Sequence, residues 1–443
     1  MRRQSRLAVL LLTALLMTLL GASLNSASGA EESLPVHEFG GNDAASLQKF
    51  LLQHAGQSCI VRLPKNQSLT CTAREDIAGN EKSIHALLVP ERVQLDLNQG
   101  TLLLDLRSNS YGIRLSNHSA IRNGTVRVIH SEGKGLQGCW HSAVSVGAAY
   151  GDGGTVERPG HFSTVTNWVM EDLLIDQQVE ASAVQLMSEA CHGIIRNIRI
   201  ADSEKALLGI GMDWGSVGDV SSADERLSAM QELWKKHQIY TTHPHDILVE
   251  NIEIGRLTRN SDPSDAGVRC SACHRITIRN ISIDTSATAI AIWGGDCGYE
   301  FARDDQRNSE HSGYILENIT IKNALRFGLI LNGTADNIIR AERNLGYKPL
   351  RNPAVPGIQG LLATELHLRG VRTSGSKGIY AVAVTSAELK GVQISQFAVG
   401  LHAEDWVNGI RLTGDMIRDN DRNLLLEGTF SPASDVTLES VDR

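Results

Sequence analysis

"ITIRNISI", residues 276–283, is the stretch whose reading decides the fold. Apolar side chains alternate with polar ones, an asparagine interrupts, and the alternation resumes. The phrase returns as "GIIRNIRI" (193–200), "ILVENIEI" (247–254), "YILENITI" (314–321) and "AIRNGTVRV" (120–128). Period-two alternation on both sides of one polar residue predicts two short strands joined by a tight bend, each burying one face. Asn123, Asn197, Asn251, Asn280 and Asn318 hold that bend, and Asp172 takes the place in "MEDLLI" (170–175). Asparagine suits it because it tolerates left-handed backbone angles and bonds its own neighbours. The N-x-S/T triplets at Asn123, Asn280 and Asn318 therefore read as turn geometry ahead of glycosylation.

A third apolar strand follows each phrase: "GIRL" (112–115), "AVSV" (143–146), "AVQL" (183–186), "LGIGM" (208–212), "GVRC" (267–270), "AIAI" (289–292), "GLIL" (328–331), "VAV" (382–384) and "GLHA" (400–403). Three strands per repeat, with variable gaps and a self-similar core, predict a parallel β-solenoid of roughly ten or eleven rungs. The rungs make one elongated domain, although a chain of 443 residues would otherwise suggest two or three.

The entry "GGNDAASLQKFLLQHAGQSCIVRLP" (40–64) resembles that of right-handed β-helix proteins of the pectate-lyase-like superfamily, in which an amphipathic helix plugs the open end of the solenoid. A plug is physically required, because an uncapped rung exposes unpaired backbone and the apolar bore. The resemblance covers about residues 36–430 and implies an all-β chain, a single-stranded right-handed parallel β-helix with an N-terminal capping helix. It does not choose an activity. The arginine-rich motif of the calcium pectate lyases is absent, and "GGDCG" (294–298) carries one aspartate where polygalacturonases have two.

Residues 1–30 read as a secretory signal, with Arg2, Arg3 and Arg6 ahead of an apolar run from Leu7 to Leu20 and small residues around Ala27 and Ala30. The expected layout is a signal peptide (1–30), a cap of helix and first strand (31–64) and the β-helix (65–443). The expected location is periplasmic or secreted, without membrane insertion. Losing the three leader arginines takes the net charge from −8 to about −11, which argues against nucleic acid as a partner.

"CSACHRITIRN" (270–280) contains the spelling of covalent haem attachment. Laid beside "SEACHGIIRN" (188–197), it puts Cys191 and His192 at the turn of Cys273 and His274, and His245 fits the same place. Stacked turn chemistry is the better account, since haem would need both thiols outside the solenoid and Cys270 falls on an inward strand position. Of the seven cysteines, Cys59 and Cys71 flank one strand and turn and are candidates for a disulfide.

Long connections leave the third strand at about 147–162, 215–244, 294–312 and 333–359, so they are expected to rise from one side and wall a groove. The second contains a helical pattern over 221–240 that brings Lys236, His237, Tyr240 and His243 to the groove edge. If Ile210, Val268 and Ile290 point inward, then Gly211, Arg269 and Ala291 align outside, as do Asp213, Ser271 and Trp293, about 4.8 Å apart per rung. Arg269 reads either as a binder of carboxylate or as a partner of Asp213. Trp214 and Trp293 suit a sugar ring, apolar on one face and hydroxylated at its edge.

The resulting expectation is a polysaccharide lyase acting on an acidic, uronate-containing polymer by β-elimination. Arg269 takes the carboxylate, Tyr240 or His243 serves as base and acid, and Trp214, Trp293, Lys236 and His237 bind the chain. Asp213 and Asp296 are candidates to hold a cation such as Ca2+, or to pair as carboxylates in a hydrolase. A non-catalytic binding or adhesive β-helix and a uronate epimerase are the competing readings.

Overall fold

The structure of the chain, a computed structural model, is described over residues 33–72, 84–106, 110–129, 142–147, 164–213, 243–260, 265–271, 273–293, 312–333, 358–414, 416–428 and 436–439. Val36–Arg443 forms one compact unit.

Every described strand pairing is parallel, and the chain is a parallel β-helix. Each rung is a first run, a bend, a second run and a third run. The third runs form a single ladder of eleven, from Ile84–Val89 to Arg422–Leu426. In two rungs the runs merge into long bent strands, His274–Trp293 and Ile315–Asn332. The bore is filled by stacked Ile, Val and Leu side chains, and Trp168 is fully buried among them. Gly193 makes room for that indole: a Cβ there would stand 1.9 Å from Trp168 Cζ2.

The bend asparagines form a ladder. Asn123, Asp172, Asn197, Asn251, Asn280 and Asn318 all have positive φ, between 50° and 62°. Asn197 Nδ2 donates to Asp172, Asn251 to Asn197, Asn280 to Asn251 and Asn318 to Asn280, at 2.9–3.1 Å. The residue before each bend adds charge alternation: Arg122, Glu171, Arg196, Glu250, Arg279 and Glu317 stack in register. Arg196 meets Glu171 at 2.5 Å and Arg279 meets Glu250 at 2.6 Å. Like charges on adjacent rungs would repel, and alternation turns the column into attraction.

The capping helix is Ala44–Gln53, with Asp43 as its N-cap accepting from Ser46 N. Leu47 and Leu51 are buried against the first rungs. Gln48 donates to Leu88 O and accepts from Leu88 N, so one helical side chain completes the exposed edge of the first third run. At the far end Val436–Glu439 pairs with Ile410–Thr413.

Three expectations need correction. Cys59 and Cys71 are free thiols, not a disulfide. Each fills an inward position on its own strand, and burial pushes the thiols up, Cys71 to about 12. The turn alignment is off by one residue: His274 and His245 share register with Cys191, while His192, Asp246 and Arg275 occupy the next, positive-φ position. Counting back from the bend asparagine gives the right register, whereas matching the "CH" spelling does not. The third run read at 382–384 is instead Lys377–Val382, with Ile379 and Ala381 opposite Leu329 and Leu331. The alternation of "IYAVAV" permits either placement, and glycine decides it. Gly328, Gly378 and Gly400 stack so closely that a Cβ on Gly328 would meet Gly378 O at 2.6 Å, and one on Gly378 would meet Gly400 O at 2.5 Å.

Candidate functional site

Two side-chain columns run along the outside of the third runs. Val268 and Cys270 belong to the core, so Arg269 between them faces outward. Its register runs Gln185, Gly211, Arg269, Ala291, Ile330, Tyr380, His402 and Leu425. The second column lies two residues later, with Ser271 opposite Trp293, Trp293 opposite Asn332 and Asn332 opposite Val382. Glu404 and Glu427 extend it, since Glu404 N donates to Ala381 O and Glu427 N to Ala403 O.

Near the middle of the solenoid, Arg269 Nη2 donates to Asp213 Oδ2 at 2.9 Å, and both side chains are about nine-tenths buried. This is the ion-pair reading of Arg269, and it gives Asp213 an arginine partner where a cation was expected. His243 is fully buried. Trp293 is half-buried at the end of its strand. Tyr240, Trp214, Lys236, His237, Asp296 and the helical pattern at 221–240 lie outside the described residues, as do most of the four long connections. The strands from which those connections depart do end together: Val146 is opposite Leu186, Asp213 opposite Met187, and Trp293 opposite Asn332.

At the corner where the first runs begin, His245 and His274 stack with ring centroids 5.0 Å apart and planes within 6°. His245 Nδ1 lies 2.7 Å from Asp246 Oδ2 and its Nε2 3.6 Å from Glu189 Oε1. Arg275 clasps Asp246 through Nε at 2.6 Å and Nη2 at 2.7 Å. Burial alone would push the His245 imidazolium down, but the Asp246 and Glu189 carboxylates outweigh it and raise its pKa. Asp246 is held well below the usual carboxylate range: burial opposes this, and the bonds from Arg275 and His245 prevail.

Three rungs beyond Arg269, about 14 Å at strand spacing, the same columns carry a constellation absent from the sequence reading. Tyr380 Oη donates to Glu404 Oε2 at 2.8 Å. Lys377 Nζ stands 4.0 Å from the Tyr380 ring centroid and 3.9 Å from Glu404 Oε1. His402 Nε2 lies 3.2 Å from Glu404 Oε1 and 3.3 Å from Glu427 Oε2. Burial, and then the Lys377 ammonium, push the His402 imidazolium down, so this ring is neutral near pH 7. Desolvation likewise lowers the pKa of Lys377. Between Arg269 and this cluster the floor is Ala291 and Ile330, flanked by Trp293 and Asn332.

Together these residues offer what acid–base chemistry on a sugar acid needs: a positioned phenol, a cation beside it and an aromatic-edged, partly apolar floor. A separate cavity of about 420 Å³ on the outside of the second runs is lined by Thr320, Lys322, His367, Arg369 and Gln393. Lys322 there pairs with Asp284 at 3.6 Å.

No family model and no curated protein matches the chain. Solved structures do. The mannuronan C-5 epimerase AlgE4 A-module of Azotobacter vinelandii is 12% identical, with 90% of each chain covered and a TM-score of 0.49. An alginate lyase from Paenibacillus sp. is 10% identical over 92% of this chain and 99% of that one, with a TM-score of 0.34. The catalytic domain of a GH87 alpha-1,3-glucanase is 12% identical over 88% and 70%, with a TM-score of 0.30.

Proposed function

We propose that the protein is an exported polysaccharide lyase that cleaves a uronate-containing polymer by β-elimination on the outer face of its third runs. The observation that carries this reading is the Lys377–Tyr380–Glu404 group. β-Elimination removes the proton at C5 of a uronate, and the neighbouring carboxylate must be neutralised for that proton to leave. Lys377 supplies the positive charge. Tyr380 passes its phenolic proton to Glu404 Oε2 as it takes the C5 proton, and the Lys377 ammonium over its ring steadies the charge that develops. The C5 electron pair forms the C4=C5 double bond as the C4–O bond breaks, Tyr380 hands the abstracted proton to the departing oxygen, and Glu404 returns the phenolic proton.

His243 is fully buried, and Tyr240 lies outside the described residues, so the base and acid of this reading is Tyr380. Trp293 and the apolar floor beside it accept neighbouring sugar rings. Arg269, tied to Asp213, closes the far end of the surface. A basic, apolar-led signal at residues 1–30 fits delivery to the periplasm or beyond, where such polymers occur. Among the described residues no helix is long and apolar enough to cross a membrane.

The test is incubation of the mature protein with a panel of uronic-acid polymers, following the ultraviolet absorbance of the unsaturated product. Absorbance gained by the wild type and abolished in Tyr380→Phe is expected. New reducing ends without that absorbance would overturn the lyase assignment in favour of hydrolysis, and no change on any polymer would overturn turnover altogether.

A further inference from the structure

We infer that His402, Glu404 and Glu427 form a binding site for a divalent transition metal of the zinc type. One ligand atom from each lies within 4.8 Å of the others. They come from the last turns of the ladder: His402 from the strand Val399–Ala403, Glu404 just beyond it, and Glu427 one rung on.

The decisive group is His402. Its side chain is 95% buried, and neither ring nitrogen makes a contact of hydrogen-bond geometry. Yet Nε2 is aimed between two carboxylates, 3.2 Å from one and 3.3 Å from the other. A buried imidazole nitrogen without a bond is costly, and a ligand placed between these three atoms gives Nε2 its partner. The spacing suits a metal. Ligands held 2.0–2.1 Å from a tetrahedral zinc are separated by about 3.3 Å along each edge.

The donor set narrows the metal. One imidazole and two carboxylates suit Zn2+ and its neighbours, whereas Ca2+ prefers an all-oxygen shell. Tyr380 completes the arrangement by donating to Glu404 Oε2, which turns Oε1 toward His402. Such outer partners commonly fix a carboxylate ligand. Two carboxylates against the single Lys377 ammonium leave net negative charge for the dication to meet. Three protein ligands leave the fourth position of a tetrahedral ion for water or an oxygen of a bound molecule.

The experiment is isothermal titration of the metal-stripped, full mature chain with ZnCl2, without polysaccharide, together with metal analysis after dialysis. Binding of one zinc per chain is expected. Affinity should fall at least about 100-fold in His402→Ala and in Glu427→Gln, and 10–100-fold in Tyr380→Phe, where only the outer partner is lost. Glu427 is more than half exposed, so Glu427→Gln tests the site even if His402→Ala fails to fold. Glu388→Gln, at a half-buried residue paired with Lys390, should bind as the wild type does. Absence of stoichiometric zinc, equal affinity in Glu427→Gln, or stronger binding of CaCl2 than of ZnCl2 would each overturn the site. Because no substrate is present, the result is independent of whether the chain proves to be a lyase.

Discussion

Tyr380 and His402 are register partners on neighbouring rungs, with ring centroids 5.5 Å apart. The pair puts one aromatic hydroxyl at the surface of the column and one imidazole beneath it. Tyr380→Phe keeps the ring, its contact with His402 and its place under Lys377, and removes only the hydroxyl bonded to Glu404. Turnover of a uronate polymer should fall at least about 100-fold. The thermal midpoint should move little, because one partly exposed hydrogen bond contributes about 1 kcal/mol. Initial rates and melting curves on the same preparation separate the two.

Asn280 is a joint of the bend ladder, donating to Asn251 and accepting from Asn318, with φ of 56°. Asn280→Ala loses both bonds and leaves a β-carbon in left-handed backbone without the amide that makes that conformation tolerable for asparagine, for a loss of about 2 kcal/mol. Asn280→Gly loses the same bonds without that strain and should be the milder change. Denaturant midpoints rank the two variants. Hydrogen exchange should reveal loosening first at the bends of Asn251 and Asn318, since each rung leans only on its neighbours.

The sequence was most informative where one residue type does one job on every rung. The bend asparagines are such a case, because left-handed φ and stacked amide bonding admit few substitutes. The outward columns at Arg269 and Trp293 were legible too, since the inward alternation of Ile210, Val268 and Ile290 fixes what lies opposite. Tyr380 escaped for a physical reason. "GIYAVAV" alternates through two possible placements, and the close stacking of Gly378 on Gly400, which selects between them, is a three-dimensional fact. Read at 382–384, the strand leaves Tyr380 out of the column and hides its meeting with Glu404. Glu404 and Glu427 follow their strands by one residue, where alternation has already ended.

The corner at His245 predicts a pH-dependent stability. Its pKa is raised in the folded chain by Asp246 and Glu189, and Arg275, His192 and His274 also face it. A raised histidine pKa contributes stability that is fully present below the unfolded value of about 6.5 and is lost as pH rises through the folded one. Asp246, with its pKa depressed, contributes above about 3.9 and loses that contribution as pH falls. The corner is therefore strongest between these limits. The destabilisation caused by His245→Gln should be largest at mildly acid pH and should shrink toward alkaline pH. Melting of both proteins across that range checks the sign; a gap that widens with rising pH would contradict it.

Arg269 and Asp213 present the sharpest test of whether the centre of the column is built for stability or for a ligand. Both are buried on the outer face and joined at 2.9 Å. Removing one partner of a buried ion pair strands the other charge, so Asp213→Ala should cost about 3–5 kcal/mol. Replacing both, as Arg269→Met with Asp213→Leu, removes the stranded charge and should recover most of that loss. The double variant then isolates function. If the pair only holds the rungs together, the double variant will bind uronate polymer as the wild type does. If Arg269 also meets a carboxylate of the polymer, affinity will fall at least tenfold while the melting temperature stays near that of the wild type, and the loss will diminish with added salt as charge screening predicts.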